Sequence, residues 1–305
     1  MVLPPARRAA RLGVAALVAV ALAPALPASQ FRGAVDLVEI TATVTDGNGR
    51  FLTGLKAGDF TVREDGVPQR LIRVDAEREP VSLGLVLDAS GSMQVTLDAG
   101  RIAGHTTAAR AALQRLLFER LDPRDELCFV EFSGNARLTQ EWTTDRGLIG
   151  GALQDVQPTG DTALFHALAL AVPTAETGRH RKKVLLVISD GGDTHSVVTL
   201  EELRQAIVSS EVLVYALGFA KARGSRDAAD PKVLRQITDP TGGRTEIVQP
   251  GQLAEAVDRL AEELGRQYHL AFERTGPRDG RRHAVQVDVR ARGARVRAQS
   301  AYIAD

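Results

Sequence analysis

Apolar and polar residues alternate from 34 to 45. Val38, Ile40, Ala42 and Val44 fall on one side, and Glu39, Thr41, Thr43 and Thr45 on the other. A period of two is that of a strand with one buried face. The run stops at Asp46-Gly47-Asn48-Gly49, residues suited to a hairpin turn. Short strand signals follow at Phe60–Arg63 and around Leu71–Val74, on either side of a second turn at Glu64-Asp65-Gly66. Residues 34–80 thus read as a small all-β region.

From residue 81 the period changes. Residues 83–87, LGLVL, are apolar without alternation, as in a strand buried on both faces of a parallel sheet. Helical spacing follows over 98–120, with Ile102, Ala109, Leu113, Leu116 and Leu117 on one stripe. Strands are then predicted at 127–132, 184–189 and 212–217, and helices at 163–176, 200–209, 231–238 and 251–266. Strands that alternate with helices predict a doubly wound, largely parallel α/β domain over 81–266. After Arg266 the period of two returns: Tyr268, Leu270 and Phe272, then Val285, Val287 and Val289, then a last strand ending near Ile303. A few strands alone bury too little to be stable. The β segments at 34–80 and 267–305 are therefore expected to pair into one β-sandwich, with the α/β domain inserted between them.

Composition changes this picture little. The 305 residues carry 38 basic and 38 acidic side chains, a balance that gives no sign of a nucleic-acid or anionic-membrane partner. Aromatics are only 4%, so the core must be mainly aliphatic. The first 28 residues differ from the rest. Arg7, Arg8 and Arg11 precede an apolar run at 12–26, and Leu26-Pro27-Ala28 forms a small-residue end. This is the three-part pattern of a secretory signal peptide. It predicts export to the periplasm or the extracellular space, with membrane attachment only where the segment stays uncleaved. Cys128 is the single cysteine, so no disulfide framework exists and this thiol is expected in the core.

The chemistry concentrates where the strand 83–87 ends. Asp88, Ser90 and Ser92 follow it at alternate positions of a tight turn. Open α/β sheets bind ligands at the C-terminal ends of their strands. One carboxylate and two hydroxyls there suit a hard cation with open coordination positions, Mg²⁺ or Mn²⁺. Two further loops are expected at the same sheet edge: Pro158-Thr159-Gly160-Asp161-Thr162 and Ser189-Asp190-Gly191-Gly192-Asp193.

Together these segments resemble a von Willebrand factor type A domain, whose metal-ion-dependent adhesion site reads Asp-x-Ser-x-Ser, then Thr, then Asp. The matching positions are Asp88, Ser90, Ser92, Thr162 and Asp190. The flanks TATVTDGNGRFLTGLKAGDFTVREDGVPQ (41–69) and RQYHLAFERTG (266–276) are similar to exported von Willebrand factor A-related proteins of the acidobacterial type. The resemblance implies a Rossmann-like domain that holds Mg²⁺ or Mn²⁺. It implies a protein partner whose Asp or Glu completes the metal shell. It also implies a switch in which the last helix, 251–266, slides. The competing expectation is a metal-independent scaffold or accessory subunit of an envelope or extracellular complex, binding through its β region.

Other candidates are weaker. Asp161 is expected to cap the helix that begins at Thr162, and Asp193 to stand near the metal or to close its glycine turn. His195 is expected to be a solvated loop residue, and His166 a packing or surface residue of the helix. HExxH, CxxC, GxSxG and P-loop patterns do not occur, so zinc-protease, redox, hydrolase and nucleotide-phosphate readings lack their markers. No enzymatic activity is expected.

Overall fold

The computed structural model describes residues 36–94, 104–189, 192–220, 230–274, 276 and 278–304. The expected signal segment 1–28 and the candidate ligand Asp190 lie outside the described residues. The chain opens with β1 (Leu37–Thr45), β2 (Phe60–Glu64), β3 (Val67–Gln69) and β4 (Leu71–Asp75). The α/β part runs β5 (Val81–Asp88), α1 (His105–Arg115), β6 (Glu126–Phe132), β7 (Ala136–Thr143), α2 (Arg146–Asp155), α3 (Leu164–Glu176), β8 (Lys182–Ser189), α4 (Leu200–Ser209), β9 (Leu213–Phe219), α5 (Pro231–Thr238), β10 (Thr245–Val248) and α6 (Leu253–Leu264). Four strands close the chain: β11 (Tyr268–Glu273), β12 (Arg282–Val289), β13 (Arg295–Ala298) and β14 (Ala301–Ile303).

The central sheet has the order β10-β9-β8-β5-β6-β7 and is parallel except for β7. Every residue of β5 is buried, as its unbroken apolar run requires. Leu83, Leu85 and Leu87 face one layer, with α1, α2 and α6; Val86 faces the other, with α3, α4 and α5. The chain leaves β5 for β6 on one side and later returns to β8 on the other. The strand order therefore reverses at β5, and a crevice is expected outside its C-terminal end. Cys128 on β6 is buried, and burial pushes its thiol up to about 12.

Strands from both ends of the chain interleave in two antiparallel sheets, β13-β1-β11-β4 and β14-β12-β2-β3. The alternation at 38–44 works as read: Val38, Ile40, Ala42 and Val44 point into a core shared with Phe60, Val62, Tyr268, Leu270 and Phe272. Phe60 and Tyr268 meet edge to face at 5.1 Å. The fold is thus a doubly wound α/β domain with a β-sandwich built from both termini.

Differences from the sequence reading are local. Of the helix expected over 98–120, residues 98–103 lie outside the described residues, His105–Arg115 form α1, and residues 116–120 widen into a π-turn. The β7, α2 and β10 elements were not anticipated. Among the described residues, no helix is long and apolar enough to cross a membrane.

Candidate metal centre

Asp88 ends β5 and is fully buried, as is Ser90; Thr162 is nearly so. The Asp88 carboxylate organises the turn beneath it. Its Oδ1 accepts the Ser90 N–H at 2.8 Å, and its Oδ2 accepts the Ser189 hydroxyl at 2.5 Å. The second bond reaches across to the end of β8, one residue before Asp190. The Ser90 and Ser92 hydroxyl oxygens lie 3.0 Å apart.

Backbone bonds stitch two segments onto this turn, the end of β6 and the loop that leads to Thr162. Ala89 N–H donates to Phe132 O (2.6 Å), Thr159 N–H to Ala89 O (2.7 Å) and Gly91 N–H to Gly160 O (2.9 Å). Gly160 has a φ of +74°, a left-handed conformation natural to glycine. A Cβ on Gly91 would stand 3.3 Å from the Gly160 oxygen, so both glycines permit the close approach. Thr162 O accepts the N–H of Thr194 (2.8 Å) and of His195 (3.1 Å). The Thr162 N–H donates to Thr194 Oγ1 at 3.1 Å. The strand-end turn, the Thr162 loop and the loop after β8 thus form one laced edge at the topological switch point.

Asp161 does not cap α3. The helix begins at Leu164 with Ala163 as its N-cap, which makes no side-chain cap bond. The Asp161 carboxylate is exposed and stands 3.6 Å from His195 Nδ1, itself exposed. The cap comes from the other loop. Asp193 Oδ1 accepts the Phe165 N–H at 3.0 Å and the Ser196 hydroxyl at 2.6 Å. Ser196 Oγ in turn accepts the His166 N–H at 3.1 Å. Asp193 and Ser196 therefore satisfy free donors of the α3 first turn from thirty residues away. No local signal could have revealed this, nor the role of Ser189 in holding Asp88. Both are contacts between segments far apart in sequence.

The donor set fits a hard divalent cation on one measurable point. Neighbouring ligands of an octahedral Mg²⁺ at about 2.0–2.1 Å lie about 2.9–3.0 Å apart. The two serine hydroxyls have that separation. Among the described residues, no cluster of three or more His, Cys, Asp or Glu has the arrangement of a metal site, and three of the five candidate ligands are hydroxyls. Such neutral donors leave a cation short of negative charge.

Comparison with known proteins agrees with this architecture. Residues 83–192 match the family model described as von Willebrand factor type A domain. A von Willebrand factor type A protein from Catenulispora acidiphila superposes with a TM-score of 0.50 at 18% identity, over 90% of this chain and 74% of that one. The D319A mutant of the PilB minor pilin from Streptococcus sanguinis gives 0.52 at 12% identity, over 61% of each chain. Proximal thread matrix protein 1 from the mussel byssus gives 0.51 at 16% identity, over 66% of this chain and 51% of that one. At these identities the likeness is one of fold. No curated protein gives a significant match.

Proposed function

The chain carries a von Willebrand factor type A domain, and from that premise we propose that it is a binding protein which captures a protein partner through Asp88, Ser90, Ser92, Thr162 and Asp190, with Mg²⁺ or Mn²⁺ held between them. The observation that carries this reading is the pair of hydroxyls 3.0 Å apart beside a fully buried carboxylate at the switch point of the sheet. For the four described residues the geometry is consistent with a task for each, and Asp190 is assigned by its place in the sequence. Asp88 fixes the turn by accepting from Ser90 N–H and Ser189 Oγ. Ser90 and Ser92 offer neutral oxygen donors. Thr162 sits in a loop pinned from both sides, and Asp190 follows the strand end that Ser189 ties to Asp88. When bound, the cation supplies an electron-poor centre that favours an added anionic oxygen, so the partner is expected to present an Asp or Glu.

Binding rather than catalysis is the better reading of the serines. The Ser90 hydroxyl is shared with Ser92, and among the described residues no histidine is hydrogen-bonded to either. A nucleophilic serine needs a base within reach. The basic, apolar and small-residue order of residues 1–28 supports a place outside the cytoplasm.

The test is the melting temperature of the protein in chelator and in millimolar Mg²⁺ or Mn²⁺, beside Asp190→Ala and Ser92→Ala. A ligand at about 100 times its Kd stabilises by about 2.7 kcal/mol. For a domain of this size that is a shift of about 5–10 °C. The shift is expected in the wild type and absent in Asp190→Ala. Partner capture from extracellular fractions should then vanish in chelator. Capture that survives chelator would favour the metal-independent scaffold instead.

A further inference from the structure

At the opposite end of the central sheet from Asp88, a cavity of about 450 Å³ opens between the turn after β1 and the C-terminal half of α6. Five of its lining residues are arginines: Arg50, Arg244, Arg259, Arg266 and Arg297. They come from four separate segments, namely the turn, the approach to β10, α6 with the residues just past its end, and β13. Arg295 stands directly opposite Thr45 in the β1–β13 register, at the same margin. In a chain with zero net charge, this is a local concentration rather than a general basicity.

The acids around the cavity do not exhaust these guanidiniums. Glu263 is turned inward, 1% exposed, and pairs with two of the cavity arginines, Arg244 at 3.2 Å and Arg297 at 2.6 Å. Glu262 pairs with Arg266 at 3.0 Å, with both side chains about half exposed. Arg244 reaches Glu246 at 3.1 Å, Arg259 reaches the same Glu246, and Glu255 lies 3.9 Å from Arg259. Among the described residues no carboxylate lies within ion-pair distance of Arg50 or Arg295. Four acids thus face six arginines. Each guanidinium has five N–H donors in a planar fork, and each of these pairs occupies only one or two of them. Exposed pairs such as Arg266–Glu262 are weak and readily exchanged for a better acceptor.

We propose that this cavity is a binding site for a phosphate-bearing ligand. Donors that converge from four segments match a tetrahedral group with several acceptor oxygens better than a flat carboxylate. The volume falls in the range of small-molecule pockets, so the phosphate is expected to belong to an ester rather than to be a bare ion. A soluble phosphate ester and a phospholipid headgroup share this chemistry.

The full chain is titrated calorimetrically with inorganic phosphate at low and at moderate salt. It is also sedimented with phosphatidylcholine vesicles with and without phosphatidylglycerol. The Arg50→Ala/Arg266→Ala variant changes two exposed side chains, and its fold is checked by circular dichroism. Saturable, salt-sensitive binding of phosphate or of phosphatidylglycerol vesicles is expected, at least tenfold weaker in the double variant. Glu262→Gln, which removes a competing negative charge, should tighten it severalfold. Binding of phosphate alone assigns a soluble ester, and binding of the anionic vesicles assigns a headgroup. No binding of either probe, or binding equal in the wild type and the double variant, overturns the proposal. Asp190→Ala should bind phosphate like the wild type, which separates this site from the metal centre.

Discussion

Lys182 is the first residue of β8 and is only 4% exposed. Its Nζ donates to the carbonyl of Leu264, the last residue of α6, at 2.6 Å. An ammonium there covers a helix C-terminus, a favourable site for a cation, but one deprived of water. Burial pushes its pKa down to about 7; the repulsion of Arg78 adds to this, and Glu263, Asp125 and Glu79 oppose it. Between about 7 and its ordinary value of 10.5 the unfolded chain binds this proton and the folded chain does not, so stability rises with pH across that window. Urea unfolding should show the wild type about 2 kcal/mol more stable at pH 9 than at pH 7. Lys182→Met should lack this rise, and an identical rise in the variant would refute the assignment. The neighbouring His269 is buried, and burial, aided by Lys182, pushes it down to about 4. It stays neutral in the fold, so its stabilising contribution is complete above about 6.5 and is lost as the pH falls towards 4. His269→Asn should be less acid-sensitive in that window when its melting temperature is followed from pH 7 to 4.

Elements show which parts of this molecule can be read locally. The β5 strand and its Asp88-x-Ser90-x-Ser92 turn announce themselves, because a buried strand and the turn that follows it are contiguous in sequence. The alternation at 38–44 likewise fixes which face of β1 is buried. By contrast, β7 is an edge strand with a half-exposed ARLTQEWT pattern, and α2 contains Gly147, Gly150 and Gly151, poor helix formers. Neither carries a clear period. Sequence order points to Asp161 as the cap of α3, because it precedes the helix, yet Asp193 reaches the helix from the loop after β8. This exchange has a measurable consequence. Asp193→Ala should destabilise the protein by about 1–2 kcal/mol through the lost cap, and it should do so in chelator as much as in Mg²⁺. A loss confined to metal-containing buffer would show that Asp193 acts on the cation instead. Asp161→Ala, with no helix bond to lose, should leave stability within about 0.5 kcal/mol.

On the scale of the whole molecule, the α/β domain and the sandwich share one buried polar node at the end of α6. Glu263 Oε1 accepts from Thr43 Oγ1 on β1 (3.0 Å), from Tyr215 on β9 (2.8 Å) and from Arg297 on β13 (2.6 Å), while Oε2 faces Arg244 at 3.2 Å. Gln267 adds bonds to Thr43 Oγ1 and to the Tyr215 hydroxyl, at 3.0 and 2.9 Å. The pairing of distant termini was legible because neither β segment is large enough to stand alone. This node was not, since no periodicity marks a glutamate that three strands will surround. It places the only described junction between α6 and β11 under restraint from both lobes, so any sliding of that helix must first break these bonds. Removing this buried carboxylate takes the acceptor from Thr43, Tyr215 and the partly exposed Arg297, while Arg244 keeps Glu246, and the loss of hydrogen bonds to a charged acceptor costs about 1.5–3 kcal/mol. Glu263→Ala should therefore be destabilised by that amount, and Tyr215→Phe, which loses one neutral donor, by about 1–2 kcal/mol. Because the node belongs to both lobes, wild-type unfolding should be a single transition. Trp142, the one tryptophan, lies on β7 and reports the α/β domain by fluorescence, whereas circular dichroism reports both lobes. The two curves should coincide in urea for the wild type and separate in Glu263→Ala. Separate curves already in the wild type would mean that the lobes unfold independently and that the node does not couple them.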